Sequence, residues 1–260
     1  MAPYIGSATS RVDGFAKVTG AAKYAAEFNV SGLVHASLVC STIAKGHITH
    51  IDASAAQRVK GVLTVLTHEN RPAMADNDEA YKDEVAPDGS PYRPLYDGKI
   101  MFNGQPIALV VAETSEIARF AASLVRVEYE KEPHVTDVHR LRDAASAVKD
   151  PGSPIEALFT PPKRRRTPEQ ALAAATVRHE GEYYVPIEHH NPMELYASTV
   201  IVEGNGKLTV YDKTQGVQNV QRYLCGVFGM KPEDVRVMSP FMGGGFGSGL
   251  RPQFQVVLAV

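Results

Sequence analysis

Short apolar runs, broken by glycine and proline, set the pattern of the first half of the chain. Residues 33–41 are apolar and β-branched and predict a strand. Gly46-His47 breaks the run, and residues 48–52 predict a second, shorter strand. Asp52 stands where a carboxylate can accept from the first free N–H groups of a short helix over 53–58. Gly61 ends that helix, and residues 62–67 predict a third strand. After Gly104-Gln105-Pro106, residues 107–111 form a continuous apolar run, as in a strand covered on both faces. Thr114 or Ser115 can cap the next helix, 116–124, in which Ile117, Phe120, Ala121 and Leu124 recur at helical spacing. Residues 125–130 alternate, as in a half-buried strand. Residues 70–96 differ from all of this. They are polar, rich in proline and poor in large apolar side chains, and read as a long exposed loop.

The second half opens with a polar segment, 139–168, punctuated by prolines, which reads as a linker. Its basic stretch, 161–166, reads as a solvated part of that connection. Thr167-Pro168-Glu169-Gln170 carries a cap, a proline at the first helical position and a glutamine that closes a capping box, so a helix should run to about Ala175. Residues 176–185 alternate and predict a strand. Residues 198–202 and 207–212 predict a hairpin around Glu203-Gly204-Asn205-Gly206. A helix over 217–228 should stop at Gly229, and a strand over 234–238 should follow. A further helix-like run covers 252–260. The pattern is α+β. It divides into a first domain at 1–138, the linker at 139–168 and a mixed α/β region at 169–260.

Composition narrows the function classes. At 260 residues with 44% hydrophobic and 22% charged residues, the chain can bury a sizeable core and fits roughly two domains. A net charge of -2 gives no basis for a nucleic-acid or anionic-membrane partner. Cys40 and Cys225 are too few for a disulfide framework or a metal cluster and read as small buried apolar residues. His35, His47, His50 and His68 lack the convergent spacing of a metal site. The N-terminus lacks the basic and apolar regions of a secretory signal, and the chain reads as cytoplasmic; export with a partner that carries a signal would make it periplasmic.

Chemistry concentrates near the end. Between the predicted strand at 234–238 and the helix at 252–260 lies Phe241-Met242-Gly243-Gly244-Gly245-Phe246-Gly247-Ser248-Gly249. Such a loop can present backbone N–H groups to a polar ligand. By itself it is equally compatible with a ligand-free turn. No Lys-Ser/Thr follows the glycines, which counts against a nucleotide-binding phosphate loop. Upstream, Gln215 and Gly216 close the second hairpin strand, and a glutamine there can offer both a donor and an acceptor. Glu188-His189-His190-Asn191-Pro192-Met193-Glu194 gathers histidines and carboxylates, but adjacent histidines on extended chain face opposite ways.

The Gly-Gly-Gly-Phe-Gly loop at 243–247 resembles that of the molybdopterin-binding large subunit of the xanthine dehydrogenase/aldehyde oxidase family. Arg11-Val12-Asp13-Gly14, Lys17-Val18-Thr19-Gly20 and the segment from Gly104-Gln105-Pro106 to Glu130 are similar to its a/b hammerhead domain. His190-Asn191-Pro192-Met193-Glu194 resembles a further segment of the family, except that Leu195-Tyr196 replaces the Pro-His that follows there. The resemblance implies a hammerhead domain followed by the beginning of a molybdopterin-binding domain. It implies molybdenum held by a pterin, in bacteria often as the cytosine dinucleotide, with no protein ligand to the metal. Gln215 would contact an apical oxygen of the metal, and Gly216, Gly244, Gly245, Phe246 and Gly247 would line the cofactor. Fe–S and FAD subunits and the rest of the large subunit are the implied partners, and an aldehyde or N-heterocycle the implied substrate. Where purine-oxidising members carry Lys-Glu, Gly249-Leu250 stands here, which disfavours a purine. The family's general-base glutamate has no counterpart in these residues, so the expectation is a piece of a larger enzyme, inactive alone. A truncated non-catalytic binding or assembly module of the same fold is the alternative.

Overall fold

The computed structural model describes residues 5–82, 91–144 and 167–260, so the basic stretch at 161–166 lies outside the described residues. The chain forms two compact units. One comprises Met1–His134 with His190–Val260, and the other Val135–His189. The architecture is α+β, with three three-stranded sheets among the described residues, all in the first unit.

The first sheet has the order β1 (His35–Cys40), β5 (Pro106–Ala112), β3 (Val62–Thr67), antiparallel throughout. The central place of β5 follows from its composition. An unbroken apolar run has no polar face to give to solvent, and all but one of its residues are buried. Helix α3 (Ser115–Leu124) packs on this sheet, with the Thr114 hydroxyl accepting from Ile117 N–H as its cap. The buried positions of α3 are Ala118 and Ala121, while Phe120 is 58% exposed. Of the expected stripe, Ala121 and Leu124 face the core, while Phe120 turns outward and Ala118 is buried instead, the small side chains letting the helix approach the strands closely. The second sheet, β4 (Lys99–Ile100), β2 (Gly46–Asp52), β6 (Arg126–Lys131), pairs each neighbour antiparallel. Strands β5 and β6 flank α3 in sequence but belong to different sheets. The short helix α2 (Ser54–Gln57) follows Asp52, whose carboxylate accepts from Ser54 N–H at 2.9 Å.

The third sheet carries the site. The hairpin β7 (Ser198–Val202) and β8 (Leu208–Asp212) is antiparallel, and β9 (Val235–Met238) joins β8 in parallel. The crossover between β8 and β9 is helix α6 (Val217–Phe228), stopped by Gly229 at φ 65. Its Val220, Leu224 and Val227 lock onto Leu208, Val210, Val235 and, from α7 (Phe254–Ala259), Val256. Each such fully buried aliphatic side chain contributes about 1.5–3 kcal/mol.

Three expectations are corrected. Part of residues 70–96 is built into the core: Tyr81 and Leu95 are each 4% exposed, Ala75 N–H donates to Val227 O, and Tyr81 stacks edge-on against Tyr223. One tyrosine and a proline-stiffened path are enough to dock an otherwise polar segment. Cys40 is exposed, since it sits at the end of β1 where the register shifts. In the second unit, where α4 (Val138–Leu141) and α5 (Pro168–Ala173) form with the expected capping box at Thr167 and Gln170, residues 176–185 form no strand. Their alternation finds no ladder partner among the described residues, and Tyr183 and Val185 stay exposed. No helix among the described residues is long and apolar enough to cross a membrane.

Candidate functional site

The end of β8 and the glycine loop after β9 meet because α6 returns the chain over the sheet. Polar contacts join the two segments. Gln215 N–H and the Thr214 hydroxyl both donate to Gly249 O, at 2.8 and 3.2 Å. Gly247 N–H donates to Gln215 Oε1 at 3.1 Å, and the Asn219 amide reaches Leu250 O at 3.4 Å. From behind, Gln253 Nε2 donates to Ser248 O at 3.0 Å.

The arrangement leaves donors over. An amide side chain has one acceptor end and one donor end, and Gly247 N–H fixes which end of Gln215 faces the loop. Oε1 is taken, so Nε2 is the free end; it has no protein acceptor among the described residues. The backbone N–H groups of Gly244, Gly245 and Phe246 likewise have no acceptor among the described residues. A ligand that offers acceptor oxygens would find unpaired donors here, with Gln215 and Phe246 exposed. Phe246 stands at the crest with φ 51, an uncommon backbone for a bulky residue, and is 73% exposed. Of the expected site residues, Gln215, Gly244, Gly245, Phe246 and Gly247 come together. Gly216 is turned inward: its N–H donates to Thr214 Oγ1 at 3.0 Å and its O accepts from Val220 N–H at 3.1 Å, so it starts α6.

Glu194 holds the loop's other end. Its Oε2 accepts from Gly243 N–H at 2.7 Å, its Oε1 from Ala25 N–H at 3.4 Å, and its own N–H donates to Gly243 O at 3.2 Å. At the end of β8, Asp212 is 1% exposed and accepts from the Ser198 hydroxyl at 2.5 Å and from Gln255 Nε2 at 3.2 Å. Burial pushes its carboxyl above the ordinary aspartate value, against the pull of those donors. Asp212→Asn is therefore expected to raise the melting temperature at neutral pH, since an asparagine Oδ1 still accepts both bonds without a buried charge. A carboxyl whose folded-state pKa is raised contributes stability that is complete below its unfolded pKa and lost as pH rises through the folded value. The two proteins should converge as pH falls below the ordinary aspartate range. Thermal melts of both across that range check this, and a variant less stable at neutral pH refutes it.

Sequence reasoning did not find Tyr196, whose hydroxyl donates to Ser248 Oγ of the loop, or Lys213 beside its ring. Lys213 is 1% exposed, with Nζ 3.9 Å from the centroid of the Tyr196 ring. A lysine at a strand end has the signature of a surface residue, so nothing in the pattern marks it. A hollow of about 300 Å³ elsewhere, lined by Val217, Gln221, Glu233 and Arg236, includes none of the expected residues.

Comparison with known proteins defines the class. Residues 19–133 match the family model described as aldehyde oxidase and xanthine dehydrogenase, a/b hammerhead domain, and residues 157–260 match the molybdopterin cofactor-binding domain. The chain belongs to the aldehyde oxidase and xanthine dehydrogenase family. Among its relatives, it is 35% identical over 257 residues to the aldehyde oxidoreductase molybdenum-binding subunit PaoC of Escherichia coli K12, covering 98% of this chain and 32% of that protein. It is 30% identical over 241 residues to the xanthine dehydrogenase molybdenum-binding subunit of Escherichia coli O157:H7, covering 92% and 32%. The solved aldehyde oxidoreductase from Desulfovibrio gigas superposes with a TM-score of 0.70 at 25% identity, over 96% of this chain and 28% of that one. The chain thus spans about a third of the length of these two subunits.

Proposed function

We propose that the loop at 243–249 and Gln215 bind a molybdopterin cofactor, within a molybdenum hydroxylase that oxidises an aldehyde or an N-heterocycle. The observation that carries this reading is the orientation of Gln215. Its acceptor end is occupied by Gly247 N–H, so what it offers outward is a donor, suited to an oxygen on the cofactor. The unpaired N–H groups of Gly244, Gly245 and Phe246 add three more donors to the same end of the sheet. These residues bind and orient, and the bound cofactor supplies the redox chemistry.

Gly249 packs against Gln215, and Leu250 is 42% exposed, so positions 249 and 250 offer no carboxylate to a purine ring. That favours an aldehyde or apolar heterocycle, in keeping with the name of the PaoC relative. The cytosine dinucleotide form of the pterin, the Fe–S and FAD partner subunits, a general-base glutamate outside these 260 residues, inactivity of this piece alone and a cytoplasmic setting all belong to the same proposal.

Molybdenum and released pterin nucleotide, measured in protein purified from its native host with co-purifying chains identified by mass, test it. Stoichiometric molybdenum with companion chains is expected. Gln215→Ala should then lower turnover about tenfold or more, as loss of one hydrogen bond to a polar ligand group, with the fold intact. Protein that carries no molybdenum and no companion, or full turnover in Gln215→Ala, refutes the reading. The former outcome leaves a binding or assembly module of this fold.

A further inference from the structure

Lys213 follows β8 and is 1% exposed. Its Nζ has no hydrogen-bond acceptor among the described residues. A buried ammonium with empty donors works against folding, and an apolar side chain of similar length would pack there more favourably. The group that does attract it is the face of Tyr196, 3.9 Å from Nζ to the ring centroid. Tyr196 directly precedes Ala197, whose O accepts from Lys213 N–H just beyond the paired residues of the β7–β8 hairpin.

The Tyr196 hydroxyl continues the chain of contacts. It donates to Ser248 Oγ at 2.5 Å, and Ser248 Oγ donates to Gly245 O at 2.7 Å. Ser248 N–H donates to the same oxygen at 2.8 Å. Two donors from one residue thus hold the Gly245 carbonyl across a tight turn of the loop. In a planar trans peptide the next N–H points the opposite way. That N–H belongs to Phe246 and is one of the unpaired donors described above.

We propose that Lys213, Tyr196 and Ser248 are positioning residues that lock the Gly245–Phe246 peptide with the Phe246 N–H facing the ligand. This rests on the reading of the loop as a cofactor site. The ammonium fixes the ring, the ring aims the hydroxyl, and the hydroxyl and Ser248 set the peptide. The charge on Lys213 then has a use that folding alone does not give it.

The test is amide hydrogen exchange of the loop peptide 243–250 in the purified native assembly, alongside melting temperature and pterin content. Tyr196→Phe removes the hydroxyl and keeps the ring, and should speed loop exchange about tenfold with other peptides unchanged. Ser248→Ala should do the same, and Ser248→Thr should restore the wild-type rate. Lys213→Met should speed loop exchange without lowering the melting temperature, and the Tyr196→Phe/Lys213→Met pair should be no faster than Tyr196→Phe alone, because the two act through one contact. Each loosened variant should also release pterin about tenfold faster. Wild-type loop exchange in Tyr196→Phe overturns the proposal, as do additive effects in the pair. Should Lys213→Met fail to fold, Tyr196→Phe and the Ser248 variants decide. Wild-type protein without pterin refutes the cofactor reading whatever the loop does, whereas pterin at full occupancy with an unresponsive loop refutes only the positioning residues.

Discussion

Gly245→Ala is expected to lower the molybdopterin content of the purified protein about tenfold or more while the sheet beneath it stays folded. The reason is room and not backbone freedom. Gly244 and Gly247 have positive φ, at 100 and 91, but Gly245 is not among the positive-φ residues. A methyl group at Gly245 would overlap Gln215 Oε1 and lie 2.7 Å from its Cδ and 3.0 Å from its Cγ. Gln215 cannot retreat by moving its backbone, because its N–H is bonded to Gly249 O at 2.8 Å. Its side chain must rotate, which breaks the bond from Gly247 N–H and turns the free amide end away from the ligand. The strain of such an overpacked contact is about 1–3 kcal/mol, too little to unfold the chain. Gly247→Ala is the control: nothing lies within 4 Å of its added methyl, so its cost is backbone strain of about 1–2 kcal/mol with Gln215 left in place. Pterin content and melting temperature of both variants check the prediction, and full pterin in Gly245→Ala would sink it.

The same contrast separates what the sequence can show from what it cannot. Strands whose faces differ in polarity, or that are apolar throughout such as β5, announce themselves locally, and so does α6 with Gly229 behind it. The loop is legible because five glycines in seven residues rule out a regular helix or strand and mark a backbone made for close approach. Partnerships across long separations leave no local mark. Tyr196 and Ser248 meet 52 residues apart, and either hydroxyl alone reads as an ordinary surface group. Tyr81 reads as part of a polar excursion, because its burial is decided by Tyr223 and Val227 on α6, far along the chain. Residues 176–185 depart in the other direction. Alternation is necessary for a half-buried strand but does not supply a neighbour, and with no ladder partner among the described residues the segment stays outside any sheet and exposed. On α3 only Phe120 departs from the expected stripe, because periodicity counts hydrophobicity, whereas close packing on a sheet selects smaller side chains such as Ala118.

Glu194→Ala should cost the protein about 2–4 kcal/mol and lower its melting temperature by roughly 5–15 °C. The carboxylate ties together two parts of the chain that no strand pairing joins. Through Oε2 it holds the first glycine of the loop, Gly243, and through Oε1 the N–H of Ala25, which is 4% exposed. The Ala25 turn is bound to the same sheet by Thr199 Oγ1, which donates to Ala25 O at 2.8 Å. Removing the carboxylate leaves two backbone donors unmatched, one of them buried, and frees the loop at its entry. Glycine at 243 belongs to the same contact, since a Cβ there would lie 2.7 Å from Glu194 Cβ. This geometry also argues against Glu194 as a general base, although it lies in a histidine- and carboxylate-rich stretch beside the loop. A base needs a free oxygen within reach of a substrate proton, and both oxygens of Glu194 already accept from backbone N–H groups. The two roles predict opposite signatures. A clamp removed by Glu194→Ala lowers stability and speeds amide exchange at 243–250, and Glu194→Gln, which keeps one acceptor oxygen, recovers part of the loss. A base removed by either substitution abolishes turnover in a protein that melts like the wild type, and that result would refute the clamp.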